Sequence, residues 1–154
     1  MTMSLLLSGI FSTNQVYMKT KLFPGRYESL EEISRFVVQE AEKAGLDENA
    51  QYSVELAVDE ACTNIIEHAY GGEDKGKIEC ICTITGEGLT VELVDHGRSF
   101  NPKKVPKPKI GAKLSEVKSR GAGLYLIMNL MDEVHFDFSK DKGNRLTMVK
   151  KKEK

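Results

Sequence analysis

Residues 48–70 read ENAQYSVELAVDEACTNIIEHAY. Val54, Val58, Ala61, Cys62, Ile65 and Ala69 recur at the spacing that gathers apolar side chains on one side of an α-helix, and Gly71-Gly72 ends the pattern. On the same helix Glu60, Asn64 and His68 stand at i, i+4 and i+8, one polar stripe along the border of the apolar face. Asp59, Thr63 and Glu67 turn further round, toward water. Burying an unpaired carboxylate is costly, so a half-buried Glu60 wants a cation or a hydrogen-bond donor beside it. A metal or a nucleophile would serve, and so would an ordinary solvated helix edge with His68 capping or packing.

Working outward, Ser29 to Ala44 carries Leu30, Ile33, Phe36, Val37 and Ala41 at helical spacing, with Glu31 and Glu32 at its start and Gly45 at its stop. Before it, Val16 to Leu22 alternates like a strand and meets Phe23-Pro24-Gly25, a turn. Ile78 to Thr85 and Leu89 to Val94 read as a hairpin around Gly86-Glu87-Gly88. Gly121 to Met131 reads as a further helix, followed by strands at Val134 to Phe138 and Arg145 to Val149. Between them, residues 98–120 lack periodicity and hold three prolines and eight basic residues against the single acid Glu116. A loop of that length inside a compact domain is usually functional, and a lid is a common reason. Residues 1–15 read as a loosely attached extension and residues 16–150 as one domain.

The chain has 154 residues, a composition 40% hydrophobic and 29% charged, and a formal net charge of -1. A near-neutral surface excludes charge-driven binding to nucleic acid or to an anionic membrane. The Leu5-Leu6-Leu7 run is far too short to span a bilayer and lacks the basic flank of a signal peptide. Cys62, Cys80 and Cys82 make an odd count in a chain too large to need staples, which points to a reducing, cytoplasmic setting. Cys80 and Cys82 share one strand face, with no second pair to complete a zinc site. Gly71 to Lys77 fits G-x-x-x-x-G-K, yet Ile78 stands where a metal-binding hydroxyl belongs, and a strand rather than a helix follows.

Two further segments carry chemistry. Asp95-His96-Gly97 ends a strand with an acceptor followed by a glycine, which suits either a flat donor-bearing ligand such as adenine or a plain turn. Arg120-Gly121-Ala122-Gly123-Leu124 opens a helix directly after the basic loop, so its free N–H groups form an anion site, with Lys113 and Lys118 adding charge. Each signal alone is weak, and all are compatible with one purine nucleotide and its metal.

Glu60-Ala61-Cys62-Thr63-Asn64 with His68-Ala69-Tyr70, then Asp95-His96-Gly97-Arg98-Ser99-Phe100-Asn101-Pro102, then Arg120-Gly121-Ala122-Gly123-Leu124 resemble the N, G1 and G2 boxes of the gyrase, Hsp90, histidine kinase and MutL ATPase superfamily. Within it the chain is most similar to the bacterial anti-sigma factor serine kinases of partner-switching systems. The resemblance spans about residues 16–150 and implies an α/β two-layer sandwich of the Bergerat type, a mixed sheet with helices on one face. It also implies ATP and Mg2+ as ligands, with Glu60 as general base and Asn64 as magnesium ligand. Asp95 would accept from the adenine amino group. Gly97, Gly121 and Gly123 would shape the pocket, and Arg120 would touch phosphate. His68, Phe100, Ala122 and Leu124 fall in the nucleotide-binding boxes, and residues 98–120 would be the ATP lid. The activity implied is phosphorylation of an anti-sigma factor antagonist together with sequestration of a sigma factor. Relatives of this type often pair as homodimers. The competing reading is a regulatory module of the same fold that binds ATP and partner proteins without transferring phosphate.

Overall fold

A computed structural model describes residues 15–99, 119–139 and 141–153, with side chains of the second stretch from Gly123 onward. In chain order the elements are β1 (Tyr17–Pro24), α1 (Ser29–Lys43), α2 (Glu48–Asn64) with a π turn (Ile65–Ala69) at its end, β2 (Lys77–Thr85), β3 (Gly88–Asp95), α3 (Ser119–Leu130), β4 (Glu133–Ser139) and β5 (Gly143–Lys151). Among the described residues no helix is long and apolar enough to cross a membrane.

The helix boundaries follow from local chemistry. Asp47 caps α2, its carboxylate accepting from Ala50 N at 2.8 Å. Gly45 takes φ +83° after α1, and the amides of Gly45 and Leu46 return to Glu42 O and Ala41 O, closing the helix in a Schellman turn. The unbroken helix expected to Tyr70 changes winding after Asn64, where Tyr70 N reaches Ile65 O at 2.9 Å. One residue more than in an α-turn is enclosed there.

Among the described residues the sheet has the order β1-β2-β3-β5-β4, and its four pairings are all antiparallel, where the resemblance implies a mixed sheet. The crossover through α3 brings β4 back in the direction of β3, but β5 takes the place beside β3, so the two parallel-running strands never become neighbours. The helices lie on one face, as expected. Ile78, Cys80 and Cys82 of β2, Leu89, Val91 and Leu93 of β3, and Leu146 and Met148 of β5 point at them and are buried with Val37, Val54, Val58 and Ile66. All three cysteines are free and buried, packing as small apolar side chains.

The same alternation positions the site. Continuing the inward row of β3 from Leu93 gives Asp95, and continuing that of β5 back from Leu146 gives Asn144, its partner in register. Two polar residues therefore end two otherwise apolar rows, on the helix-facing side of one end of the sheet.

Candidate functional site

At that end α2, α3 and the last strands enclose a cleft. Its apolar walls are Ala61, Ile65 and Ala69 from α2 and the π turn, Leu124 and Ile127 from α3, and Phe136, Phe138 and Leu146 from β4 and β5. Asn64, Asp95 and Asn144 are polar groups within it. An apolar slot with a few placed polar groups is the usual form of a small-molecule site.

Asp95 is 5% exposed, and its Oδ1 accepts from Gly97 N and from Asn144 Nδ2, both at 2.9 Å. Asn144 also donates to Gly97 O at 3.0 Å and accepts from the Ser99 hydroxyl at 2.7 Å. Its amide thus ties the start of the segment after β3 to β5. Asn144 was not among the residues expected at the site. Its sequence signal is faint: a polar residue in the inward row of an apolar strand, legible only once the register opposite Asp95 is known. Phe136 and Phe138, whose rings stack with centroids 6.2 Å apart, likewise read only as strand residues until β4 is seen to form a wall.

The segment after Asp95 lies against the π turn. Arg98 N donates to Ala69 O at 2.8 Å and the Arg98 guanidinium to His68 O at 3.2 Å. A Cβ on Gly97 would fall 2.4 Å from Ala69 O. Backbone, not a movable side chain, fills that space, so Gly97→Ala is expected to destabilise the chain by about 1–3 kcal/mol. Urea unfolding with intrinsic tyrosine fluorescence measures it.

The expected stripe is only partly kept. Glu60 and Asn64 share one face of α2, and both meet Gly123 of α3: a Cβ there would lie 2.9 Å from Glu60 Oε2 and 3.0 Å from Asn64 Nδ2. His68 falls beyond the change of winding, half-buried, and does not line the cleft, although its carbonyl holds Arg98. The straight-helix spacing fails there because the π turn shifts every later residue round the axis. Leu124 lines the cleft. Arg120, Gly121 and Ala122 lie in the first turns of α3, and the side chains of Arg120 and Ala122 are outside the described residues, as are Phe100, Lys113, Lys118 and all of the expected lid from 100 to 118.

Burial raises the pKa of Glu60 above the ordinary carboxylate value, and the charges of Asp59 and Glu67 raise it further. Such a carboxylate is a better proton acceptor than a solvated one. Asp59, expected on the watered side, is half-buried, and burial followed by the charge of Glu55 raises its pKa too. Glu67 does face solvent, where it accepts from the Tyr27 hydroxyl at 2.7 Å.

Residues 23–150 match the model of the histidine kinase-like ATPase domain. The serine-protein kinase RsbW of Listeria monocytogenes serotype 4a is 33% identical over 114 residues, covering 71% of this chain and 71% of the relative. That of Bacillus mycoides is 33% identical over 114 residues, covering 71% of this chain and 69% of its own. A crystal structure of RsbU and RsbW domains from Mycobacterium tuberculosis superposes with a TM-score of 0.62 at 15% identity, over 88% of this chain and 32% of that one. At that identity the likeness speaks for the fold.

Proposed function

The chain belongs to the histidine kinase-like ATPase family, among its serine-protein kinases of the RsbW type, and we propose that it binds Mg-ATP in the cleft, phosphorylates an anti-sigma factor antagonist and sequesters a sigma factor. The observation that carries the reading is the meeting of three segments far apart in sequence: Asn64 from α2, Asp95 from β3 and Leu124 from α3 line one slot, and at its border Glu60 and Asn64 meet Gly123 of α3.

The residues suit the ligand. Asp95, whose Oδ1 accepts from Gly97 N and Asn144, is an acceptor in a slot lined by aliphatic and aromatic side chains, the surroundings a flat base would take. Gly123 leaves the space beside Glu60 and Asn64 that a side chain would fill. Magnesium keeps several waters and takes its remaining ligands from phosphate and one or two protein oxygens, so Asn64 would hold it with its side-chain oxygen and without a dedicated cage. When bound it neutralises phosphate charge.

In this mechanism Glu60 accepts the proton of the attacking serine or threonine hydroxyl as the oxygen–phosphorus bond forms, and the bond to the β-phosphate bridging oxygen breaks to leave ADP. Phosphoryl transfer asks the protein mainly for positioning and charge. The first turns of α3 supply free N–H groups to the phosphates, and Arg120 adds a cation. The lid expected over 98–120 would act between fixed ends, Arg98 and Ser99 being bonded to the π turn and to Asn144 and Ser119 and Arg120 lying in α3, and a difference in partner affinity between its ATP-bound and ADP-bound forms is what a partner switch requires.

Asp95→Asn tests the nucleotide assignment. The carbonyl oxygen of asparagine can keep the bonds from Gly97 N and Asn144, so the fold is retained while a donor replaces an acceptor toward the base. We expect ATP affinity to fall roughly ten- to a hundred-fold by calorimetry, the effect of leaving a buried polar group mispaired. An unchanged dissociation constant would end the adenine assignment.

A further inference from the structure

Tyr70 follows the π turn and does not line the cleft. Its ring lies on Gly76, where a Cβ would come within 2.2 Å of the ring. Its hydroxyl donates to Lys77 O at 2.6 Å and accepts from His96 N at 2.9 Å. His96 immediately follows Asp95, and the next two residues are also fastened to the turn: Gly97 by contact with Ala69, and Arg98 by bonds to the carbonyls of Ala69 and His68. Residues 96–98 are thus gripped one after another by residues 68–70. Opposite them, Asn144 holds Asp95 Oδ1 and Gly97 O.

From this geometry we propose that Tyr70 is a positioning residue for nucleotide selectivity: its hydroxyl fixes the His96 amide, and through it the orientation of the Asp95 carboxylate, without touching the ligand. The inference rests on the proposed nucleotide site. Base recognition by one carboxylate needs its direction held closely, because a small misorientation costs the discriminating bond and little else. The grip also joins the two ends of the site, since the π turn that holds 96–98 starts at the residue after Asn64.

Tyr70→Phe keeps the ring on Gly76 and removes only the hydroxyl. Tyr27→Phe is the matched control: its hydroxyl bonds Glu67 of the same π turn, on the exposed side away from residues 95–98. Calorimetry with Mg-ATP and Mg-GTP on wild type and both variants gives the test, with phosphorylation kinetics alongside. For Tyr70→Phe we expect ATP affinity to fall about three- to ten-fold, the worth of one hydrogen bond, with GTP affinity unchanged, KM for ATP raised and kcat kept. Tyr27→Phe should match wild type. An unchanged ATP affinity in Tyr70→Phe, or an equal loss for ATP and GTP, would overturn the proposal. A wild-type chain that binds no Mg-ATP would overturn the underlying site instead. If Tyr70→Phe does not fold, amide hydrogen exchange on the nucleotide-free wild-type chain decides: the amides of His96 and Arg98 must be protected like those inside β3, and exchange at loop rates would refute the grip.

Discussion

Glu60→Ala is expected to lower the rate of phosphoryl transfer to the protein substrate by about 10²- to 10⁴-fold, the range of a lost general base, while Mg-ATP binds nearly as before. Single-turnover transfer from γ-labelled ATP, set beside calorimetry, separates the two effects. A variant transferring at the wild-type rate would place the base elsewhere. Because burial and the neighbouring charges of Asp59 and Glu67 raise the Glu60 pKa, the acidic limb of the pH profile should lie above the ordinary carboxylate range. Asp59→Asn should move that limb downward. The sign for stability is opposite to that of a paired carboxylate. A raised folded-state pKa contributes stability below the ordinary carboxylate value, and that contribution is lost as pH rises through the raised one. At neutral pH the ionised Glu60 therefore burdens the fold, and Glu60→Gln should match or exceed wild type in melting temperature while losing transfer.

Asn64→Ala is expected to abolish the magnesium-dependent part of ATP affinity. In wild type, chelating the metal should weaken nucleotide binding; in the variant, chelation should change nothing. Asn64 is half-buried and its amide faces Gly123 rather than the core, so its loss should cost about 1 kcal/mol of stability or less, too little to unfold the chain. Undiminished Mg-ATP affinity in this variant would remove the metal assignment. With those outcomes the two substitutions on one helix face would part the proposed roles, one in binding and one in transfer.

The candidate residues legible in the sequence are those whose signal is local. Glu60 and Asn64 are four residues apart on a strongly periodic helix. Asp95 ends a strand whose alternation is plain, and Gly121 and Gly123 sit where a helix begins. What escaped depends on contacts across the chain. Asn144 matters because register sets it opposite Asp95, and a one-residue slip would turn it to the other face. The π turn carries the bonds that residues 96 and 98 make to Tyr70 and Ala69 from about thirty residues further along the chain, contacts that no periodicity within 48–70 could reveal. His68 reads on the Glu60 stripe because straight-helix spacing does not register the change of winding at Ile65. The antiparallel outcome of the sheet likewise turns on which strand, β4 or β5, lies beside β3, and both read alike as short alternating runs.

The central claim is that one chain is both a nucleotide-controlled binder and a kinase. The purified protein would be incubated with native lysate in parallel with Mg-ATP and with Mg-ADP, and the retained proteins and their phosphosites identified by mass spectrometry. The account predicts a sigma factor and a small antagonist whose occupancies change with the nucleotide, the antagonist carrying phosphoserine or phosphothreonine only with ATP. The same partners in both conditions, with no phosphate on any of them, would contradict it and leave a binding module that holds ATP without transferring phosphate.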